Sequence, residues 1–193
     1  LGVRRFVAIR RSVPAACRRS FRSTNNLRQA MNKTTDLSDA HPAAPVLPAI
    51  FRDFGGTLNF EGPALTVSCF EDNSRIKELS LTPGDGRVLV VDGGGSTRCA
   101  LLGDIIAIDL QKNGWVGAII HGCIRDAAVL KTLSLGVKAL ASHPKKSVKR
   151  NEGVIGQPIF IAGVEIKNGD RICADEDGVI VLLGATADVE LTS

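Results

Sequence analysis

The stretches 86-GRVLVVDGGGSTRCALLGD-104, 114-GWVGAIIHGCIRD-126 and 135-LGVKALASHPKKS-147 decide the fold. Each opens with a short run of Val, Ile, Leu or Ala bounded by Gly, Asp or Asn, the mark of a strand buried on both faces. The runs predict strands at 87–92, 116–121 and 137–142. Between the first two, Leu101, Leu102, Ile105 and Ile106 share a helical face, and Asn113-Gly114 supplies a stop, so a helix is expected over about 99–112. A turn at Gly122 and a helix over about 126–133 precede the third strand. The order β-α-β-α-β predicts parallel strands joined by crossover helices.

On either side of this centre the character changes. Residues 64–70, ALTVSCF, read as a further strand. Residues 36–63 carry four prolines and a Gly55-Gly56 turn, as a segment wrapping the core would. The C-terminal third holds three short runs, at 158–166, 171–175 and 178–183, separated by Gly or Asn-Gly, which read as antiparallel strands. The expected architecture is a layered β/β/α domain with a mixed sheet.

Charge divides the chain in two. Residues 1–30 hold eight of the 24 basic residues and no Asp or Glu, leaving sixteen basic against twenty acidic residues in 31–193. The leader is rich in Arg and Ser, the composition of a mitochondrial transit peptide, with a basic tail or an extension upstream of Met31 as alternatives. The location expected is mitochondrial if the leader is a transit peptide and cytoplasmic otherwise. The mildly acidic body argues against direct nucleic-acid binding. Its one basic cluster, 145-KKSVKR-150, reads as a solvated loop. Five cysteines in no paired spacing give neither a disulfide framework nor a zinc signature, and no apolar run reaches membrane-span length.

Ligands of open α/β sheets gather beyond the carboxyl ends of parallel strands. Three such ends are visible. The triglycine loop 92-DGGGSTR-98 suits a tight turn, or backbone amides approaching the phosphates or methyl donor of a cofactor, although its spacing matches neither dinucleotide nor Walker pattern. Gly103-Asp104 suits close packing, or a helix start whose amides at Asp104, Ile105 and Ile106 cradle a carboxylate. Arg125-Asp126 suits a capped helix with a surface partner. It equally suits a guanidinium fork for a carboxylate beside an oxygen ligand for a hard divalent cation. His121 adjoins that pair and reads as a turn residue. No lysine sits in the motif; Lys131 and Lys145, in helix and loop, read as the nearest.

Together with 54-FGGTLNFEGPALTVSCFEDN-73 and 174-ADEDGVIVL-182, the three opening stretches resemble the family of the regulator of ribonuclease activity A, which includes the 4-hydroxy-4-methyl-2-oxoglutarate aldolases. The resemblance implies a ring-shaped homotrimer with sites between subunits. For the aldolase branch it implies a divalent metal, Mg²⁺ or Mn²⁺, cleavage of a hydroxy-oxo-diacid to pyruvate, and decarboxylation of oxaloacetate through the same enolate. For the regulator branch it implies contact with a ribonuclease and no catalysis.

The aldolase pattern matches residue by residue at Asp104 and Arg125-Asp126, with 105–124 intervening. By that match Arg125 binds the pyruvyl group and stabilises the enolate. Asp126 holds the metal, the amides across Gly103, Asp104, Ile105 and Ile106 take the substrate carboxylate, and Asp104 or a bound water relays the proton. The chain departs from the pattern at Val129, where aldolases commonly carry an acidic residue.

Overall fold

The computed structural model describes residues 33–183; the basic leader and its transit-peptide reading lie outside them. Four helices and eleven strands follow in order. They are α1 (Thr34–Ala40), β1 (Arg52–Asp53), β2 (Phe60–Ser68), α2 (Ser74–Ser80), β3 (Val88–Asp92), β4 (Ala100–Leu102) and α3 (Asp104–Lys112). Then come β5 (Gly117–Ile124), α4 (Ala127–Leu130), β6 (Gly136–Ser142), β7 (Val154–Ile155), β8 (Ile159–Ile161), β9 (Val164–Ile166), β10 (Arg171–Ala174) and β11 (Val179–Leu182).

The parallel centre is present and one strand wider than expected: β2, β3, β5 and β6 lie side by side in that order, all parallel. Antiparallel strands complete the sheet, with β1 beside β6, and β10 then β11 beyond β2. Alternation along the strands explains the layering. Leu89, Val91, Ala118 and Ile120 point to one face, where they meet Ile76 and Leu79 of α2, Ile106 and Leu110 of α3, and Leu130 of α4. Val88, Val90 and Ile119 point to the other, where they meet Ile159, Ile161 and Ile166 of the separate β8–β9 hairpin and Ile172 and Val181 of the curled sheet edge. Strands buried on both faces are therefore mostly apolar, which is why they read as near-continuous runs.

Four local expectations change. The helix expected from 99 starts at Asp104, because residues 100–102 form the short strand β4 beside the end of β5. Three residues are too few to show a period-2 pattern, so the apolar run passed for part of the helix. Gly122 is no turn: β5 runs through it to Ile124, with a register shift between Ile120 and Cys123 in its pairing with β6. The helix expected over 126–133 is a single turn. The run 158–166 is two strands, broken at Ala162 and Gly163, both at positive φ. The wrapping segment also contributes an ion pair, in which Asp53 of β1 meets the buried Lys138 of β6 at 2.7 Å.

Candidate functional site

Where β4, β5 and α3 converge, the chain makes a cavity of about 140 Å³. Its lining includes Gly103, Asp104, Ile105, Ile106 and Arg125, so residues expected from two separate strand ends share one space. Gly103 is the pivot. Its backbone is extended (φ −135°), so conformation does not demand glycine; space does. A Cβ there would lie 3.0 Å from both Arg125 Nε and Asp126 Oδ2.

Asp126 occupies the cap position of α4 in the left-handed region (φ 56°, ψ 38°), yet its side chain makes no capping bond. It turns instead to Arg125, whose Nε lies 3.1 Å from Oδ2. The Asp104 amide donates to the same oxygen at 3.4 Å. The capped-helix reading therefore fails for the carboxylate. An Asp tolerates this conformation better than most residues.

The head of α3 faces carboxylates of the protein itself. Asp104 Oδ1 accepts from the Ile105 amide at 2.7 Å, so both leading amides of the helix already face carboxylate oxygens, supplied by the protein itself. A ligand carboxylate would take over these donors, with the helix dipole behind them.

The remaining wall comes from residues that no local motif announces. Asn73 and Lys77 reach in from α2, and Lys146, Ser147 and Lys149 from the segment after β6. The 145–150 cluster is thus part of the cavity as well as exposed, which corrects its reading as a plain solvated loop. Lys77, Lys146 and Lys149 line this cavity together with Arg125, and Lys131 and Lys145 do not. Asn73 Oδ1 and Ser147 Oγ are buried and make no hydrogen bond to the protein, an arrangement that a polar ligand would satisfy. With Arg125, the three lysines make the cavity mainly cationic, which suits a small polyanion.

Among the described residues no group of three or more His, Cys, Asp or Glu is gathered into a metal-binding cluster. A hard cation held by one or two carboxylates and its own waters does not require such a cluster, whereas a zinc-type site does. Asp126 fits such a cation, because no described residue hydrogen-bonds its Oδ1. Val129 is part-exposed on α4 and does not line the cavity.

Two other expected features lie elsewhere. His121 belongs to β5, with Nδ1 3.0 Å from Asp92 Oδ1 and its ring beside Phe51. The triglycine loop is a turn: Gly94 and Gly95 have positive φ, and the amides of Gly93, Gly94, Gly95 and Ser96 all donate within the protein. No amide of those four is left to hold a phosphate.

Comparison with known proteins follows this geometry. A family model described as RraA-like, Aldolase/RraA, matches residues 34–181. A Deinococcus radiodurans protein, provisionally named a 4-hydroxy-4-methyl-2-oxoglutarate aldolase, is 53% identical over 149 residues, covering 77% of this chain and 93% of its own. An Alkalilimnicola ehrlichii protein of the same provisional name is 54% identical over 149 residues, 77% of this chain and 92% of its own. Among solved structures, the RNA-processing inhibitor RraA from Thermus thermophilis superposes with a TM-score of 0.78 at 42% identity, covering 82% of this chain and 97% of that one. A Geobacillus kaustophilus structure, named an S-adenosylmethionine:2-dimethylmenaquinone methyltransferase, superposes with a TM-score of 0.77 at 42% identity, covering 79% and 96%.

Proposed function

Because the chain belongs to the RraA-like family, we propose that it is a divalent-metal-dependent aldolase that cleaves 4-hydroxy-4-methyl-2-oxoglutarate-type oxo-acids and decarboxylates oxaloacetate. The names of its bacterial relatives support the aldolase part. The observation that carries the reading is the convergence of Arg125, Asp126 and the head of α3 around Gly103.

The chemistry follows from these groups. Retro-aldol cleavage breaks the bond between C3 and C4, sends its electron pair to the C2 carbonyl oxygen as an enolate, and removes the proton of the C4 hydroxyl. In oxaloacetate the bond to the departing CO₂ breaks and the same enolate forms. Arg125 lines the cavity and meets the oxygen on which charge develops, where a fixed cation lowers the barrier most. The α3 amides hold the adjoining carboxylate, and Asp104, on the same turn, accepts or returns the proton. Asp126 would hold a Mg²⁺ or Mn²⁺ ion, which supplies Lewis-acid polarisation of the carbonyl. The far carboxylate of the diacid faces Lys77, Lys146 and Lys149.

The test is to incubate the purified chain with 4-hydroxy-4-methyl-2-oxoglutarate and Mg²⁺ and to measure pyruvate. Two pyruvates per substrate support the reading; none opposes it. We further infer a homotrimer, as the family resemblance implies; Ile105, apolar and 64% exposed at the cavity, would then face a neighbouring subunit. Light scattering measures this directly.

A second reading, a protein-binding regulator of a ribonuclease, is favoured by the likeness to the Thermus structure. It requires no Arg-Asp pair. Capture of a ribonuclease together with absent lyase activity would favour it.

A further inference from the structure

Outside the cavity, Asp72 is completely buried. Its Oδ1 accepts the Ser74 amide at 2.7 Å, at the head of α2. Its Oδ2 accepts the amides of Arg150 at 2.5 Å and Glu152 at 3.2 Å, from a segment about eighty residues away in sequence. Around it the same two segments are laced together. Arg75 donates to the carbonyls of Asn151 and Gly153, Arg150 to the carbonyl of Phe70, and the Asn151 amide to Ser74 Oγ.

The segment 146–153 lies between β6 and β7 and has no ladder of its own beyond the bridge at Lys146. It is pinned at two places. At its start, Ser147 donates to the Ala100 carbonyl of β4 and Lys145 accepts from the Ala100 amide. At its end, Arg150 and Glu152 donate to Asp72. Lys149 sits between the pins and lines the cavity.

We propose that Asp72 is a positioning residue that seats Lys149 in the wall of the cavity that Arg125 also lines, and so sets affinity for the far carboxylate of the substrate; this rests on the oxo-acid reading of the cavity. Without Asp72, the amides of Arg150 and Glu152 lose their acceptor, and the end of the segment parts from α2. Lys146 and Ser147 keep their bonds to β4. Asp104 opens α3, and Arg125 and Asp126 form the turn between β5 and α4, where the Arg125 amide donates to the Leu102 carbonyl of β4; none of these bonds involves Asp72. The effect therefore falls on KM rather than on kcat.

The experiment measures KM and kcat for 4-hydroxy-4-methyl-2-oxoglutarate, whose far carboxylate is kept in the product, with Mg²⁺ in the wild type, Asp72→Asn, Lys149→Ala and the double variant. Loss of one charge-assisted contact corresponds to about a tenfold rise in KM. Expected is that rise in each single variant, with kcat within about twofold, and little further rise when Asp72→Asn is added to Lys149→Ala, because both act through one contact. Additive effects on KM, or a fall in kcat at unchanged KM, would overturn the proposal. Arg75→Met, which loosens the same clasp from α2, carries the same comparison if Asp72→Asn does not fold. A wild-type chain inactive on this substrate would overturn the oxo-acid reading itself, whereas an active wild type with an indifferent Asp72→Asn would overturn only the positioning role.

Discussion

Asp126 Oδ2 lies 3.1 Å from Arg125 Nε, although Asp126 holds the cap position of a helix its side chain does not cap. Two neighbouring residues in a strand-to-helix turn would ordinarily point apart. The left-handed backbone at Asp126 folds its carboxylate back beside the guanidinium, and the missing Cβ of Gly103 leaves room for both. The candidate site exists because of that turn and that glycine.

Gly103→Ala tests the second condition. The added methyl meets the movable ends of Arg125 and Asp126 rather than backbone, so the fold is expected to persist and the site to shift. A displacement of about 1 Å lowers turnover by up to about a hundredfold. The expected outcome is a fall in kcat/KM of at least tenfold with a melting temperature lowered by only a few degrees. Kinetics and calorimetry on the same preparation check it.

Asp126→Asn separates backbone from charge. Asn accepts left-handed φ as readily as Asp, whereas Ala does so at a cost of roughly 1–2 kcal/mol. Thermal melts are expected to place Asp126→Asn near the wild type and Asp126→Ala below it. Both are expected to lose the saturable rise of activity with Mg²⁺.

The strands of the parallel centre were legible because burial on both faces leaves mostly apolar residues in them. The interest of Arg125 and Asp126 was legible through the family resemblance, whose pattern sets an acid ahead of such a pair, while their contact with each other was not. The helix α2 was not: its seven residues hold just two apolar contacts with the core, Ile76 and Leu79, too few to show a helical period. The cationic wall was also hidden. Lys77, Lys146 and Lys149 come from distant segments joined only by tertiary hydrogen bonds such as those of Asp72, and nothing local to 145-KKSVKR-150 distinguishes a cavity wall from a solvated turn.

Three lysines beside a carbonyl site raise the question of a Schiff base. All three are exposed, whereas a nucleophilic lysine is usually desolvated or set against another cation at close range. Borohydride added with pyruvate is expected to leave the mass of the protein unchanged. A stable adduct on Lys77, Lys146 or Lys149 would replace the metal-and-arginine account with an imine.

Acid is expected to loosen the clasp. Burial acts to raise the Asp72 carboxyl, but the hydrogen bonds from Ser74, Arg150 and Glu152 outweigh it and hold it at about 2. Asp175 is held low in the same sense, with burial outweighed by Thr34, Asp177 and Gly178. A carboxyl lowered on folding stabilises the folded state above its unfolded value near 3.9 and loses that contribution as pH falls through the folded value. Stability is therefore expected to drop between about pH 4 and pH 2. In Asp72→Asn that drop is expected to be shallower and neutral-pH stability lower, as denaturant melts across this range would show.

Release of pyruvate from oxaloacetate tests the central claim most directly, measured with Mg²⁺, after EDTA, and in Asp126→Asn and Arg125→Ala. The expected result is Mg²⁺-stimulated release that EDTA abolishes and that both variants lower by at least about a hundredfold, as removal of a principal charge-stabilising group does. Release that survives EDTA, or that persists in Asp126→Asn, would contradict the site placed at Arg125 and Asp126.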